Sequence, residues 1–443
     1  MIRQVLFSML MVFVSSMKAA DVITYSESPK DRDSLSIHEG IVCTDAKIIN
    51  YYRNGDKVAT IRLSDPVKVA QADKDEPWGF FQFPSIGKKN DGNLLVSWQM
   101  AADSHKTYGI KPGMFPMVSE NGGLTWKPYE KVCNIIIKDD NLCLKDNSIL
   151  EINIPRSIDI NKYEKFPLPI DKKGKYCYYR MDSLPNELQG IYLIHKKEND
   201  FQQLIHARLR DFHLLRYSID NLMPIVWWGN MKQLADQSLL AGMYPSIYED
   251  SLGKVMPGGI SFYRSEDEGN SWLIRGRIPF LPDGIANLRG ENCYTEPSFE
   301  ILADSTLICV MRSGSHSPLY RSFSSDLGVT WTSPQPFTPN GVKPRLMLLR
   351  NGVLVLASGR PGVQLRFSFD GKGVCWSDPI DMIPFMNIDR SYNLNVSCGY
   401  TSIIDADDNS LYLVYSNFTT KDSMERVRKS IWCSKITITP CKL

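Results

Sequence analysis

The sequence predicts an all-β chain of radially arranged blades, on three observations. An eight-residue polar turn, S-x-D-x-G-x-T-W, recurs four times. A strand opening, then a polar turn and an apolar strand, accompanies the copies. Successive openings at Pro245, Pro297, Pro344 and Tyr400 lie 52, 47 and 56 residues apart. A period of roughly 50 residues in an all-β pattern means a β-propeller, whose blades need neighbours to cover their faces.

The turn has a local logic. In Ser324-Ser325-Asp326-Leu327-Gly328-Val329-Thr330-Trp331, the Asp326 carboxylate can fold back onto backbone N–H groups. Gly328 can take the positive φ the turn needs. Thr330 starts a strand, and Trp331 is expected to pack flat against its own sheet. Ser119–Trp126 has Asn for Asp, Ser265–Trp272 has Ser for Thr, and Ser368–Trp376 carries one extra residue.

The strand openings are Phe83-Pro84-Ser85-Ile86, Tyr244-Pro245-Ser246-Ile247, Glu296-Pro297-Ser298-Phe299 and Lys343-Pro344-Arg345-Leu346, with Gly399-Tyr400-Thr401-Ser402-Ile403 as a fifth lacking Pro. Pro84 and Pro245 are 161 residues apart, about three periods. That interval holds one blade with a long insertion or two blades, giving six or seven in all. It contains the strand candidates Ile135–Ile137, Ile149–Ile154, Gly190–His195 and Leu204–Leu209. Near the N-terminus, Lys47–Tyr52 and Val58–Leu63 are expected to pair with the C-terminal strand Ser430–Thr439, because an open ring leaves unpaired edges.

Composition narrows the partners. The 51 basic residues nearly balance the 49 acidic ones, so bulk charge gives no reason to expect nucleic acid or a membrane surface. Residues 1–20 read as an export signal: Arg3 precedes an apolar run, Val5 to Val14, too short to span a bilayer. No later segment is apolar enough to span one. The expectation is a secreted or periplasmic protein whose residues 21–443 form a single propeller domain, insertion-rich over about 130–240. Oligomeric state leaves no mark in the sequence.

Ten cysteines fit an oxidising compartment. Cys133 with Cys143 and Cys433 with Cys441 have the spacing of local bridges, while Cys309 and Cys375 read equally well as buried apolar residues. Six scattered histidines and no zinc-type cysteine spacing predict neither metal nor cofactor. Asp405–Asn409 resembles a calcium loop, but it lacks the sixth-position Gly and the closing Glu, so a hairpin turn is expected. Asn395-Val396-Ser397 and Asn417-Phe418-Thr419 are glycosylation acceptors in a cell that glycosylates exports.

Repeated S-x-D-x-G-x-T-W turns on a propeller resemble the Asp-boxes of the sialidase (neuraminidase) superfamily. The resemblance runs from about Phe81 to Tyr415 and favours six blades over seven. Asp-boxes also occur in non-catalytic propellers, so function must come from the site. Such sialidases use a Tyr nucleophile with a Glu partner, an Asp acid/base and three arginines. A substrate bearing a carboxylate at its anomeric carbon would repel an attacking Asp or Glu, whereas a neutral phenol is not repelled. The arginines grip that carboxylate.

Carried onto this sequence, Thr295-Glu296-Pro297 followed by Leu307 to Arg312 resembles the family's Glu-then-Arg segment, implying Glu296 as the base and Arg312 as a carboxylate ligand. Gly399-Tyr400-Thr401-Ser402-Ile403 implies Tyr400 as the nucleophile. Arg360 sits where a third arginine is expected, with Arg366 and Arg345 as alternatives. The F/Y-R-I-P motif of the first blade reads Phe81-Gln82-Phe83-Pro84 here, so Gln82 stands in the place of an arginine. A neutral hydrogen bond is worth about 1 kcal/mol against roughly 1.5–3 for a charged one, which lowers carboxylate affinity by about tenfold or more. Another acidic sugar, or a neutral one, therefore stands beside sialic acid. Asp103 is the acid/base candidate in the following loop, and His105 could replace it or bind substrate.

Taken singly, each residue has a plainer use: a salt-bridging Arg, a packed Tyr, a solvated Glu. Their joint occurrence at corresponding blade positions points to a site. The sequence thus favours a retaining exo-glycosidase acting on a terminal, acidic sugar of a glycan or oligosaccharide. A non-catalytic glycan-binding propeller, or a propeller lyase or hydrolase using His105, is the alternative.

Overall fold

The computed structural model describes residues 47–53, 56–109, 116–129, 136–197, 201–281, 293–360, 362–383 and 396–441, with two-residue strand pieces before them. The predicted export signal, Cys133 and the Asn395 acceptor lie outside the described residues.

The chain is all-β and built mainly of antiparallel meanders. The first is Phe80–Lys89, Leu94–Met100, Met117–Ser119 and Lys127–Pro128, with Ile136–Lys138 on the free edge of its first strand. Next, Leu142–Cys143, Ile149–Asn153, Ile191–Lys196 and Gln202–Arg210 pair in order. The last of these lies parallel to Ser271–Ile278, which joins it to a meander of Trp228–Gln233, Leu239–Glu249 and Val255–Ser265. Two four-stranded sheets follow, Thr295–Ile301 to Gln335–Pro336 and Val342–Leu348 to Ile380–Ile383. The final sheet holds Thr401–Asp407, Ser410–Lys421 and Val427–Pro440.

The first strands of these sheets touch in succession. Thr295–Ile301 lies against Val342–Leu348, that strand against Thr401–Asp407, and Thr401–Asp407 against Phe80–Lys89. The circuit returns through Ile136–Lys138, Leu142–Cys143 and Trp228–Gln233 to Thr295–Ile301. The sheets therefore form a closed ring, a propeller. Side chains staple the inner strands together. Asn230 donates to Phe299 O at 2.9 Å and accepts from Phe299 N at 3.0 Å. Ser298 Oγ accepts from Leu346 N at 2.9 Å, and Ser402 Oγ accepts from Ile86 N at 3.1 Å.

The ring is closed by both ends of the chain. Val427–Pro440 pairs with Asp56–Leu63 and with Val67–Gln71, and Lys47–Arg53 pairs with Asp56–Leu63. Cys433 and Cys441 lie along this extended run eight residues apart, so roughly 26 Å separates them at the usual strand rise. They do not form the bridge their spacing suggested.

The four turns share two hydrogen bonds, from a Gly N–H to the Ser hydroxyl and from the indole N–H back to that Gly carbonyl, and the first three add one from the residue before Trp to the Asn or Asp side chain. In the third, Gly328 N donates to Ser324 Oγ at 2.8 Å, Thr330 N to Asp326 Oδ1 at 2.9 Å, and Trp331 Nε1 to Gly328 O at 3.2 Å. Hydrogen bonds from the Thr330 hydroxyl and N–H hold the Asp326 carboxyl down at about 2. The tryptophans correct the sequence expectation, because they face the preceding sheet. Trp331 stacks on Phe262 at 4.2 Å, and Trp376 packs with Ile308 and Val310. The indole N–H is tied back to the turn, so the ring projects across the inter-sheet gap. Trp272, fully buried, belongs to a cluster with Leu150, Leu193 and Trp227. Trp272→Ala is expected to cost about 3–5 kcal/mol, read as a lowered denaturation midpoint; a loss below about 1 kcal/mol would refute this bridging role.

Two other expectations change. Tyr244-Pro245-Ser246 lies on Leu239–Glu249, the second strand of its meander, at a register shift between Met243 and Ser246. It is not equivalent to Glu296-Pro297-Ser298, because the inner strand of that meander is Trp228–Gln233. Within the interval 130–240, five short strands, among them Tyr176–Arg180 and Leu215–Ile219, form a separate small sheet. Asp405–Asn409 is a hairpin turn, with Asn409 N donating to Asp407 Oδ1 at 3.0 Å. Asn417 is buried, and its carbonyl is bound to the Thr419 N–H and hydroxyl, so the folded chain does not offer it as a glycan acceptor.

Candidate active site

Inner strand ends converge on a cavity of about 720 Å³ lined by Phe83, Asp103, Glu296, Arg312, Lys343 and Tyr400, among others. Its backbone is bent in a repeated way. Phe83, Glu296 and Lys343 each precede the strand-opening Pro and each has positive φ, at 51°, 50° and 46°. Non-glycine residues in this region store strain, which is characteristic of functional sites. The left-handed step turns these side chains off the strand alternation and into the ring.

Tyr400 is positioned by the glycine before it. A Cβ at Gly399 would lie 2.8 Å from Arg360 Cγ, and one at Gly359 would lie 1.9 Å from Gly399 O. Only glycines let the two strand ends meet, and their meeting brings Arg360 to Tyr400. The Tyr400 ring packs edge-on against Phe83 at 4.7 Å, and the Arg360 guanidinium lies 5.9 Å from its centre.

At the centre, the Tyr400 hydroxyl donates a short hydrogen bond to Glu296 Oε1. Arg312 Nη1 donates to the same oxygen at 2.9 Å and to the Tyr400 hydroxyl at 3.2 Å. Lys343 N donates to Glu296 Oε2 at 2.8 Å. Arg312 Nη2 and Arg360 Nη1 both point at Ser315 Oγ, at 3.0 and 3.3 Å. Arg312 Nε is tied to Gly314 O, and Arg360 Nε to Cys398 O.

Electrostatics separates the roles. Burial favours a neutral Glu296, but Arg312 and Lys343 outweigh it and hold the carboxyl below its ordinary range. Burial and then the Glu296 charge push the Tyr400 phenol well above its ordinary value, against Arg312 and Arg360. The resting pair is therefore a neutral phenol hydrogen-bonded to an anionic carboxylate. Burial, and next the Arg345 charge, bring the Lys343 ammonium down to about 8. Burial and the Arg312 charge lower Arg360.

The structure brings together Tyr400, Glu296, Arg312 and Arg360, and Asp103 lines the same cavity. Asp103 Oδ2 accepts from Trp78 Nε1 at 3.1 Å, and Trp78 packs on Arg360 at 6.0 Å.

Four candidates lie elsewhere. Gln82 is fully buried, lines no part of the cavity, and neither amide atom has a partner among the described residues. Left-handed residues on both sides of it, Phe81 and Phe83, shift the register, so Phe83 faces the cavity instead. Arg345 is buried with Nε 3.0 Å from Asp139 Oδ2; a register shift after Val342 separates it from Lys343. His105 opens a 3-10 turn capped by Ser104. Residues three apart share a face there, so Ser104 and Thr107 line the cavity while His105 Nε2 lies 3.8 Å from Asp220. Arg366 is held inside its sheet by Gln364 at 3.0 Å.

Sequence reasoning missed Lys343, Phe83, Tyr244 and Ser315. The signal for two of them was available: Phe83 and Lys343 occupy the x-Pro position that in Glu296-Pro297 was read as functional. Among the described residues no group of three or more His, Cys, Asp or Glu could hold a metal ion, and no helix is long and apolar enough to cross a membrane.

Solved structures similar to this chain include a protein of unknown function from Dyadobacter fermentans, with TM-score 0.57 and 15% identity, covering 85% of this chain and 99% of that one. The Hadza microbial sialidase Hz136 has TM-score 0.48 and 14% identity, covering 88% and 74%. A Penicillium chrysogenum alpha-L-arabinanase has TM-score 0.46 and 15% identity, covering 83% and 98%. No protein-family model and no curated protein matches the chain. At these identities the likeness concerns the fold alone.

Proposed function

We propose that the chain is a sialidase-like exo-glycosidase that removes a terminal acidic sugar from glycans. One observation carries this reading: a phenol hydrogen-bonded to a buried anionic carboxylate, with an arginine on both, on the wall of a cavity. The sheets then read as six blades, with the eight-stranded sheet divided at its parallel pair. An export signal would place the enzyme with extracytoplasmic glycans.

In the first step the Tyr400 oxygen bonds to the anomeric carbon as its proton passes to Glu296. The bond to the leaving oxygen breaks, and Asp103 protonates that oxygen. In the second step a water, giving its proton to Asp103, attacks the same carbon, and the Tyr400 oxygen leaves and recovers its proton from Glu296. Two displacements retain the anomeric configuration.

Release of free sugar from α-linked sialosides, uronides and neutral glycosides tests this. Release from an acidic sugar supports it, release from a neutral one alone changes the substrate, and release from none leaves a glycan-binding module. The base must be ionised, and Glu296 is held below its ordinary value. The acid limb of kcat/KM is therefore expected below the usual glutamate range of about 4.3. An acid limb near 6 would remove Glu296 from this role.

A further inference from the structure

We propose that Lys343 is the cation that selects an acidic sugar at this site, supplying the charge that Gln82 does not; this rests on the glycosidase reading above. The geometry begins with what is already committed. All three guanidinium nitrogens of Arg312 are engaged by Glu296, Tyr400, Ser315 and Gly314. Both Glu296 oxygens are taken, one by Arg312 and Tyr400 and the other by the Lys343 backbone N–H. Lys343 Nζ, by contrast, has no hydrogen-bond or ion-pair partner among the described residues, although its residue lines the cavity.

The ammonium is aimed by the backbone. Lys343 has φ 46°, precedes Pro344 and is fastened by its N–H to Glu296. Its Nζ lies 5.6 Å from the centre of the Tyr400 ring. A sugar whose anomeric carbon meets the Tyr400 oxygen therefore has its ring substituents close to this ammonium. A mostly buried, unpaired cation gains from an incoming anion and penalises a neutral group in the same place. Gln82 cannot share this task, because it is fully buried away from the cavity.

The groups facing Lys343 are Arg345, Glu296, Asp139, Asp140 and the Tyr400 ring. Burial and Arg345 outweigh the acids, leaving the ammonium near 8. Its charge is present below that pH and is lost as pH rises through it. An arginine at this position would keep its charge throughout.

The test is calorimetric binding of N-acetylneuraminic acid, glucuronic acid and their neutral methyl esters to the full chain at pH 6.5 and 9.5. Wild type is compared with Lys343→Met and Lys343→Arg. Wild type is expected to prefer at least one acid over its ester by about tenfold or more at pH 6.5. Lys343→Met should lose most of that preference and Lys343→Arg should keep it. At pH 9.5 wild type should fall towards Lys343→Met while Lys343→Arg is unmoved. If Lys343→Met fails to fold, the wild-type and Lys343→Arg pH comparison carries the test alone. An unchanged preference in Lys343→Met, or wild-type and Lys343→Arg preferences that fall together with pH, overturns the role of Lys343 and leaves the glycosidase reading standing. Equal binding of acid and ester by wild type overturns the acidic-sugar reading as well.

Discussion

Tyr400→Phe is expected to lower turnover by about 10³-fold or more while leaving the protein folded. The change removes one oxygen. Glu296 keeps the Arg312 ion pair and the Lys343 N–H, so stability should fall by roughly 1.5–3 kcal/mol, the worth of a hydrogen bond to a charged group. The Phe83 edge contact concerns the ring and is retained. Lost with the oxygen is the atom that would bond to the anomeric carbon. A 2-fluoro sugar that traps the intermediate should add its mass to wild type at Tyr400 and add nothing to the variant. Retention of turnover within tenfold would eliminate the phenol as nucleophile.

Glu296→Gln should lower turnover by about 10²–10⁴-fold, the usual contribution of a positioned base. Unlike the first change it should also destabilise. Arg312 is largely buried and pairs with Glu296 at 2.9 Å, and removing one member of a buried pair costs roughly 3–5 kcal/mol. A third readout separates this from a merely structural loss. The Glu296 charge is, after burial, the largest influence raising the Tyr400 phenol. In the Gln variant the phenol should therefore ionise at lower pH, visible by ultraviolet titration against Tyr400→Phe. An active Glu296→Gln enzyme would require another base.

The sequence showed most where function and fold share short, local patterns. The turns were readable because Ser, Asp and Gly at fixed offsets close their own hydrogen bonds. That Tyr400, Glu296, Arg312 and Arg360 come together was readable because each lies at a strand end in a repeating frame. Side-chain direction at bent positions was hidden. Gln82 looked like the residue facing the substrate, but left-handed backbone at Phe81 and Phe83 buried it. Lys343 lies two residues before Arg345 in the same strand opening, and the register shift between Val342 and Arg345 that gives them different surroundings has no mark in the sequence. The tryptophans were assigned to the wrong sheet because sequence gives an indole's neighbours along the chain and not across the gap.

The closing sheet governs when this molecule can exist during its own synthesis. Ile61 pairs with Ile438, and Ala70 with Ile431. These strands leave the ribosome more than 300 residues before their hydrogen-bonding mate. Until then the nascent chain carries bare strand edges, the surfaces most open to mispairing between chains. Tyr400 directly precedes Thr401–Asp407 of the closing sheet, while Asp103 follows Leu94–Met100, 297 residues earlier. A stalled or shortened chain would thus hold one half of the proposed site without the other, and the site is complete only when the ring latches.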